Sequence, residues 1–171
     1  GVVLQLPDTP LDEVDTVIVL KIKGKLDVER ILPEQDEDGV LVLPMNEVNI
    51  HNYGYGGHLE LRQDGNGAFY LDGWTDSRSR VDWLVRIDKP GTFDVFAEVA
   101  AAEHAGFLLM ENEGQKPLTV QPTGGLEFFQ TQLIGQLTLV EGESEIRLHP
   151  QESLWSTIKL RSVILKPVGL E

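Results

Sequence analysis

"VDWLVRIDKPGTFDVFAEVA", residues 81–100, is the stretch of sequence that decides the fold. In residues 81–87 and again in 91–100, every second position is apolar and the positions between them are mostly polar. A period of two is that of a β-strand with one buried face. The intervening "KPG" (89–91) is typical of a compact turn. The stretch therefore predicts two antiparallel strands joined by a tight turn.

The same period recurs along the chain, and helical periodicity does not occur. "DGNG" (64–67), between "HLELRQ" and "AFYLDGW", predicts a hairpin with a type I′ turn. The ambiguous stretch "GGLEFFQTQLIG" (124–135) is assigned to a strand. Turn signals recur about every ten residues, as in a sandwich or barrel. The predicted fold class is all-β, an antiparallel β-sandwich with an N-terminal extra strand. Further strands are predicted over 16–24, 106–112, 136–140, 144–149 and 156–167.

Composition limits the function classes. The 171 residues are 41% hydrophobic and 25% charged, which suffices for a packed core. The formal net charge of −14 argues against nucleic acid and anionic membranes as partners, since both need clustered Lys and Arg. The absence of cysteine excludes disulfides, thiolate metal sites and a Cys nucleophile. No apolar run approaches the roughly 18 residues of a membrane span.

Three segments are predicted along the chain. Residues 1–31, with a strand at 16–23, are interpreted as the tail of a preceding β-domain. Residues 32–39 ("LPEQDEDG") are acidic and poor in apolar side chains, and we interpret them as a linker. Residues 40–168 form the β-sandwich module. An isolated apolar strand at 16–23 would be an aggregation hazard, so we expect it to pair with the sandwich or with a second copy of the chain.

Loop aromatics are the candidate ligand contacts. "HNYGYGGHLE" (51–60) places Tyr53 and Tyr55 on a glycine-rich loop, and Trp74 and Trp155 also lie outside the alternating strands. Pyranose rings present C–H patches that stack on exposed aromatic faces. The alternative is that each ring caps the end of the sandwich. Trp83, in contrast, shares the apolar face of residues 81–87 and is predicted to be core, as are Phe93 and Phe107.

Polar residues follow Trp74 in "DSRSR" (76–80). Asp76 and Arg78 could hydrogen-bond sugar hydroxyls, with the guanidinium offering a bidentate donor pair. The alternative is a solvated loop with local ion pairs. The candidate carbohydrate-binding residues are therefore Tyr53, Tyr55, Trp74, Asp76, Arg78 and Trp155.

No catalytic or metal motif is found in the sequence. The four histidines have neither HxxxH nor HExxH spacing, so a zinc site is not expected. No nucleophile elbow or phosphate-binding loop occurs, and no pair of carboxylates stands out among the 28 acidic residues. We therefore expect no catalytic residue, no metal ligand and no cofactor in this chain.

Two parts of the chain resemble a known family. "GVVLQLPDTPLDEVDTVIVLKIKGKLDV" (1–28) resembles the closing strands of the C-terminal β-domain of bacterial α-L-fucosidases of the retaining glycoside hydrolase type. Residues 40–168 are similar to the β-sandwich module appended to such enzymes, and to carbohydrate-binding modules of the galactose-binding-like jelly-roll class. The segments that carry this second resemblance are "IHNYGYGG", "LDGWTDSRSRVDWLVRIDKPGTFDVFAEVA", "LIGQLTLVEGESEIRLHP" and "IKLRSVILKP".

The resemblance implies a non-catalytic accessory module of a secreted or periplasmic bacterial glycosidase. The catalytic barrel would lie upstream, and the module's partners would be carbohydrate and that catalytic domain. Similar modules often hold a structural calcium ion. Its candidate ligands here are the carboxylates of "EQDEDG" (34–39) and Glu47, for which a solvated acidic segment is the alternative.

Three functions are compared. The first is binding of a neutral glycan through loop aromatics, which tethers the catalytic domain to its substrate. The second is a structural or interaction module that packs on the catalytic domain or another subunit and binds no sugar. The third, an independent hydrolase or lyase, would need a pocket that gathers two carboxylates or a histidine with its base. The sequence favours the first over the second by a small margin.

Overall fold

The computed structural model describes residues 32–54, 58–111 and 114–169, together with residues 21, 23 and 24. The chain divides into two units, residues 1–31 and 32–171, and the fold described below is that of the second. The predicted N-terminal strand (16–23) lies outside the described residues, apart from Lys21 and Lys23. The predicted boundaries between tail, linker and module stay a prediction.

Within the described residues the second unit forms eleven strands in two antiparallel sheets, and no α-helix. The five-stranded sheet has the order β2-β5-β10-β7-β8, formed by Asn49–His51, Arg80–Ile87, Gly142–Pro150, Ala105–Glu111 and Gly114–Val120. The six-stranded sheet has the order β3-β4-β11-β6-β9, formed by Glu60–Gln63, Phe69–Trp74, Ile158–Pro167, Gly91–Ala101 and Gln130–Leu139. Its sixth strand, β1 (Leu41–Leu43), pairs with β11. The predicted all-β antiparallel sandwich is confirmed.

One hydrophobic core lies between the sheets. The alternating apolar side chains of these strands point into it, namely Val81, Trp83, Val85, Ile87, Phe93, Val95, Ala97 and Val99. Trp83, Phe93 and Phe107 are each 1% exposed, as predicted. Burial of a large apolar side chain contributes roughly 1.5–3 kcal/mol. The indole N–H of Trp83 donates to the carbonyl of Pro44 at 2.9 Å, so its one polar group is satisfied. Period-two alternation therefore identified the core-facing side chains of these strands correctly.

The β3–β4 hairpin lies where the sequence placed it, but its turn is of another type. Residues 60–63 pair with 69–72 across the loop 64–68. The carboxylate of Asp64 accepts hydrogen bonds from the N–H groups of Asn66 and Ala68, and only Gly67 of the two glycines has a positive φ, of +87°. A type I′ turn needs two consecutive positive φ angles, so the predicted turn type is wrong. The hydrogen bonds to the Asp64 carboxylate stabilise a loop that is longer than a two-residue type I′ turn.

The predicted strand over 124–135 is correct only in its second half. Strand β9 begins at Gln130, and residues 121–129 form a loop in which Gly124 and Gly125 have φ angles of +96° and +143°. Two consecutive left-handed residues cannot extend a strand. The loop is tied back at Thr123, whose hydroxyl accepts from the N–H of Ala101 at 2.9 Å.

The acidic segment 32–39 is fastened to the turn between β5 and β6. The side-chain oxygen of Gln35 accepts from the backbone N–H groups of Asp88 and Lys89, at 2.9 and 2.7 Å. Its amide nitrogen donates to the carbonyls of Lys89 and Gly39. Pro33 accepts from the N–H of Arg86 at 3.0 Å. Polar contacts thus hold this segment against the sandwich. The low apolar content of the segment gave no sign of these contacts in the sequence.

Candidate functional site

Five chain segments cross from one sheet to the other at the same end of the sandwich. The strand registers place the end of β2 beside the start of β5, and the end of β10 beside the start of β7. In the other sheet, the end of β6 lies beside the start of β11. We call this region the loop end. Its connections are residues 52–59, 75–79, 102–104, 121–129 and 151–157.

These connections lie side by side in a definite order. The five-stranded sheet has the order β2-β5-β10-β7-β8, and the strands joined to them have the matching order β3-β4-β11-β6-β9. The strand ends that carry the connections therefore follow one another across the loop end in the order 52–59, 75–79, 151–157, 102–104 and 121–129. The last connection folds back over the outer face of the six-stranded sheet, where Phe129 contacts Tyr70 of β4 and Arg161 of β11. Loops placed together on a rigid scaffold are a usual location for binding residues.

Tyr53 is exposed at the first of these connections. It retains 53% of its surface, and its backbone N–H donates to the hydroxyl of Ser79 at 3.2 Å. The Cζ atom of Arg78 lies 4.1 Å from the centre of the tyrosine ring. Asn52 closes the base of the loop, because its amide group bonds both the N–H and the carbonyl of Leu59. The ring of Tyr53 is thus accessible to solvent, and its role as a carbohydrate contact stays a prediction.

Asp76 and Arg78 form a bidentate ion pair beside that ring. Nε of Arg78 lies 2.9 Å from Oδ1 of Asp76, and the second guanidinium nitrogen lies 2.7 Å from Oδ2. Side-chain and backbone hydrogen bonds from Arg78 lower the pKa of Asp76 from 3.8 to about 2. Asp76 in turn raises the pKa of Arg78, to which Tyr53 and Glu152 contribute smaller electrostatic effects. The ion pair holds the guanidinium of Arg78 over the face of the Tyr53 ring. Because two guanidinium nitrogens already donate to Asp76, fewer N–H donors of Arg78 remain for a ligand.

This pair makes a prediction about acid pH. The folded pKa of Asp76 lies below its unfolded value of 3.8, so the pair stabilises the fold above about pH 4 and loses that effect as pH falls through about 2. We expect carboxyl NMR titration to give a midpoint near pH 2 for Asp76, and Arg78→Ala to move it up towards 3.8.

Asp64 supplies the internal control for that titration. Backbone N–H groups of Ala68 and Asn66 are the main cause of its lowered pKa, so Arg78→Ala should leave it unchanged. An Asp76 midpoint that is the same with and without Arg78 would contradict the assigned cause.

The prediction that the ring of Trp74 is exposed at the loop end is wrong. Trp74 is 0% exposed, and its indole N–H donates to the carbonyl of Ser79 at 3.1 Å. Gly73, with a φ of +72°, breaks the strand register just before it, and this turns the ring inward. Trp74 therefore supports the 75–79 loop from within the core and has no surface for a ligand.

Trp155 is half-buried between the core and the loop end. Its ring lies 5.2 Å from that of Trp74 and 5.0 Å from that of Phe107, in tilted and edge-to-face arrangements. Beside it is an open pocket of about 360 Å³, which includes the exposed side chain of Leu154. The hydroxyl of Ser156 donates to the carbonyl of His104 at 3.0 Å and joins two connections at this pocket. The residues that line it are Glu103, His104, Ala105, Gly106, Thr119, Ser153, Leu154, Trp155 and Ser156.

The predicted site residues are thus only partly brought together. Tyr53, Asp76 and Arg78 form one cluster and Trp155 lines the neighbouring pocket, whereas Trp74 is internal. Tyr55 lies outside the described residues. The sequence reasoning missed Leu154, His104 and Phe128, of which Phe128 is 62% exposed in the 121–129 loop. The double glycine before Phe128 was the available signal, because it marks a loop rather than the strand that we predicted.

The described residues offer no metal-binding cluster. No group of three His, Asp or Glu side chains in residues 32–54, 58–111 and 114–169 is arranged to hold an ion. His51 lies 2.5 Å from Asp82, but no third ligand joins them. The carboxylates considered for calcium, in 34–39 and at Glu47, belong to no such group. The described part of the chain also contains no helix with the length and hydrophobicity of a membrane span.

Comparisons of structure place this fold among carbohydrate-binding modules. A family 35 carbohydrate-binding module from Clostridium thermocellum matches with a TM-score of 0.60 and 13% identity, over 75% of this chain and 98% of that one. A carbohydrate-binding module from a Cellvibrio mixtus lichenase, in complex with cellotriose, matches with a TM-score of 0.58 and 14% identity, over 74% and 96%. At these identities the likeness shows a shared fold.

A larger enzyme also contains this fold. A β-(1,4)-mannanase from Podospora anserina matches with a TM-score of 0.59 and 16% identity, over 79% of this chain. The chain spans only 29% of that enzyme. Neither the comparison with protein-family models nor the search of curated proteins finds a match.

Proposed function

We propose that this chain is a non-catalytic accessory module that binds a neutral glycan at its loop end. The observation that carries the proposal is the combination of an exposed, fixed Tyr53 ring with the adjoining pocket at Leu154 and Trp155. Exposed aromatic surface next to hydrogen-bonding groups is what a pyranose ring requires. The likeness to carbohydrate-binding modules, one of them in complex with cellotriose, supports the same reading.

The charges of the chain and of the Tyr53 cluster favour a neutral ligand over an anionic one. The net charge of −14 disfavours uronic acids and sulfated glycans over the molecule as a whole. At the site itself, Arg78 is already paired with Asp76 and has Glu152 nearby. No uncompensated cation is therefore offered by this cluster to an anionic sugar. Hydroxyl groups, which need only single donors and acceptors, suit it better.

The biological role that follows is tethering. Binding to a glycan raises the local concentration of a linked catalytic domain on its substrate, without any new catalytic contact. We propose that the parent enzyme is a glycosidase acting outside the cytoplasm. The α-L-fucosidase suggested by residues 1–28 remains the predicted parent. The chain itself is expected to hydrolyse no nitrophenyl glycoside.

Isothermal titration tests this proposal on the complete 171-residue chain. The probes are cello-, manno- and laminari-oligosaccharides from the monosaccharide to the hexasaccharide, and fucosylated oligosaccharides. We expect at least one series to bind, and Tyr53→Ala to weaken that binding about tenfold, since an aromatic stacking contact is worth up to about 1.5 kcal/mol.

The matched control for that variant is Phe69→Ala. Phe69 is also a partly exposed aromatic, at 38%, but it begins β4 at the far end of the strand from the loop end. Affinity should not change in this variant. Absence of binding by every probe at millimolar concentration would reject the proposal.

One observation favours the alternative, an interaction module. On the outer face of the six-stranded sheet, four apolar residues lie directly opposite one another across β1, β11, β6 and β9. They are Val42, Ile164, Phe96 and Leu133. Val42 and Leu133 are 51% and 55% exposed. Such a row suits contact with a protein surface, which could be the catalytic domain or another subunit. Three results together would replace glycan binding by this function. No oligosaccharide binds, the chain associates with itself, and Leu133→Asp abolishes that association.

A further inference from the structure

Strand β9 (Gln130–Leu139) is an edge strand of the six-stranded sheet. It pairs with β6 on one side, and no other strand of the described residues pairs with its second side. The second side of an edge strand presents unpaired backbone N–H and C=O groups, which form a template for pairing with another chain. We call this side of the strand the β9 edge.

The β9 edge lacks the features that usually prevent such pairing. Charged side chains, proline and a short length are the common protective features of edge strands. The ten residues of β9 (QTQLIGQLTL) contain neither a charged residue nor a proline. They lie within residues 128–140, which form the longest run of the whole sequence without Asp, Glu, Lys or Arg.

The other edge strands of the described residues carry these features. Strand β8 contains Lys116 and Pro117, and β3 has only four residues, of which Glu60 and Arg62 are charged. Strands β1 and β2 have three residues each. Among the described strands, β9 is therefore the one long and uncharged edge strand.

A β-bulge divides the β9 edge into two regular parts. The register with β6 shifts at Ile134, which is the extra residue in β9. The part after the bulge, residues 135–139, has the length of an ordinary strand. Its exposed side chains on the outer face of the sheet are Gln136 and Thr138, and those between them face the core. This part is long and regular enough to pair with another strand.

We infer that two copies of this chain pair through the β9 edge, with residues 135–139 antiparallel to the same residues of the second copy. The two-fold axis passes at Leu137, because that position pairs all five residues. Gln136 of one copy then lies opposite Thr138 of the other, so exposed side chains meet exposed ones. The two six-stranded sheets join into one continuous sheet. This inference is independent of the proposed function, since it rests on strand order and on charge.

Charge favours a second copy over a different protein as the occupant. Each copy carries a formal net charge of −14, so two copies repel each other where their acidic surfaces meet. The uncharged β9 edge lets them approach with the least repulsion. A different protein that is attracted by charge would be basic and would need an acidic surface, which the β9 edge does not offer.

Sedimentation equilibrium of the complete 171-residue chain tests the inference from micromolar to submillimolar concentration. We expect a monomer–dimer equilibrium. Gln136→Lys combined with Thr138→Lys should weaken dimerisation about tenfold, because two pairs of like charges then face each other across the axis. The double change moves the net charge from −14 to −12, so stronger overall repulsion cannot explain the loss. Circular dichroism checks that the variant is folded.

Val42→Lys is the matched control for this variant. Val42 is 51% exposed on the same outer face, but it lies in β1, and β11 and β6 separate it from β9. Dimerisation should not decrease in this variant. A loss as large as that of the double variant would show that the copies pack through the outer face rather than through the β9 edge.

Cysteine cross-linking tests the register. The chain has no cysteine, so a single introduced cysteine can form a disulfide only with another copy. Directly opposite residues of an antiparallel pair lie within disulfide reach, whereas residues two positions apart do not. A mixture of Gln136→Cys and Thr138→Cys chains should therefore cross-link faster under mild oxidation than either chain alone.

Three results would overturn the inference. The first is a chain that stays monomeric at every concentration. The second is a double lysine variant that dimerises as well as the wild type. The third is a cysteine mixture that cross-links no faster than the separate chains, which would refute the register. None of these results bears on glycan binding, which the titrations measure separately.

Discussion

Replacing Gly73 by alanine should destabilise the fold by about 2–4 kcal/mol. Two causes act together at this position. Gly73 has a φ of +72°, which costs an L-residue roughly 1–2 kcal/mol. An added Cβ would also overlap with the carbonyl oxygen of His58 and lie 3.1 Å from its carbonyl carbon. Because that neighbour is backbone, the clash cannot be relieved by a rotamer change. The midpoint of urea denaturation measures the loss.

Gly67 provides the matched control for this change. Its φ of +87° is similar, but an added Cβ would meet only the side chain of Gln63, at an ordinary 3.6 Å. Gly67→Ala should therefore show the backbone cost alone, about 1–2 kcal/mol. The excess loss in Gly73→Ala then measures the close approach of residue 58. Equal losses in the two variants would show that this approach is relaxed at little cost.

The close approach matters for the site because His58 belongs to the connection that carries Tyr53. Moving the carbonyl of His58 away would shift Leu59, to which Asn52 is bonded at the base of the loop. We therefore expect Gly73→Ala to weaken glycan binding even in the folded fraction of the protein. Gly67→Ala should not, because it lies in the hairpin 64–68 at the other end of β4.

Truncation of Trp74 to alanine should cost about 3–5 kcal/mol, the range of large aromatic side chains removed from cores. The ring is fully buried and lies 5.3 Å from that of Phe107 and 5.2 Å from that of Trp155. Its loss also leaves the carbonyl of Ser79 without its indole donor. Denaturant unfolding, followed by circular dichroism, measures the change.

The comparison of two tryptophan-to-phenylalanine variants separates packing from hydrogen bonding. Trp74→Phe removes an N–H that donates to Ser79, so we expect a loss of about 1–3 kcal/mol. Trp155→Phe removes an N–H that is buried and has no partner among the described residues, so its loss should be smaller by at least about 1 kcal/mol. If Trp155→Phe proves as costly as Trp74→Phe, the indole N–H of Trp155 has a partner, such as ordered water.

The buried position of Trp74 also changes how its variants are interpreted. A loss of sugar binding in Trp74→Ala would report the stability of the 75–79 loop rather than a lost contact. Tyr53 is the informative position, because it is more than half exposed and its removal leaves the core intact.

The strands of the core could be predicted because their side chains repeat with a regular period. Alternation in 81–87 and 91–100 gave both the strands and the buried face, and this included Trp83 and Phe93. The same reasoning failed at Trp74. The strand β4 changes its register at Gly73, and a positive φ at one glycine reverses which face the next side chain occupies. A local pattern cannot show that reversal.

The site was predicted in part for a related reason. A glycine-rich loop with tyrosines is recognisable in sequence, so Tyr53 was identified. The neighbours of Tyr53 are set by strand order: β2 and β5 are adjacent in the sheet although β3 and β4 separate them in sequence. Leu154 reaches the loop end from about 100 positions further along the chain. Only the pairing of distant strands brings these connections to one end of the sandwich, and the amino-acid composition does not indicate that pairing.

The one-to-one matching of strands between the two sheets has a consequence for how such a surface can diverge. Each connection at the loop end joins its own pair of strands, one from each sheet. Insertions, deletions or exchanges in any single connection can then leave the strand pairing that carries the other four unchanged. Recognition of a new partner could be acquired one segment at a time, by recombination or by laboratory grafting, while the hydrophobic interior stays as it is.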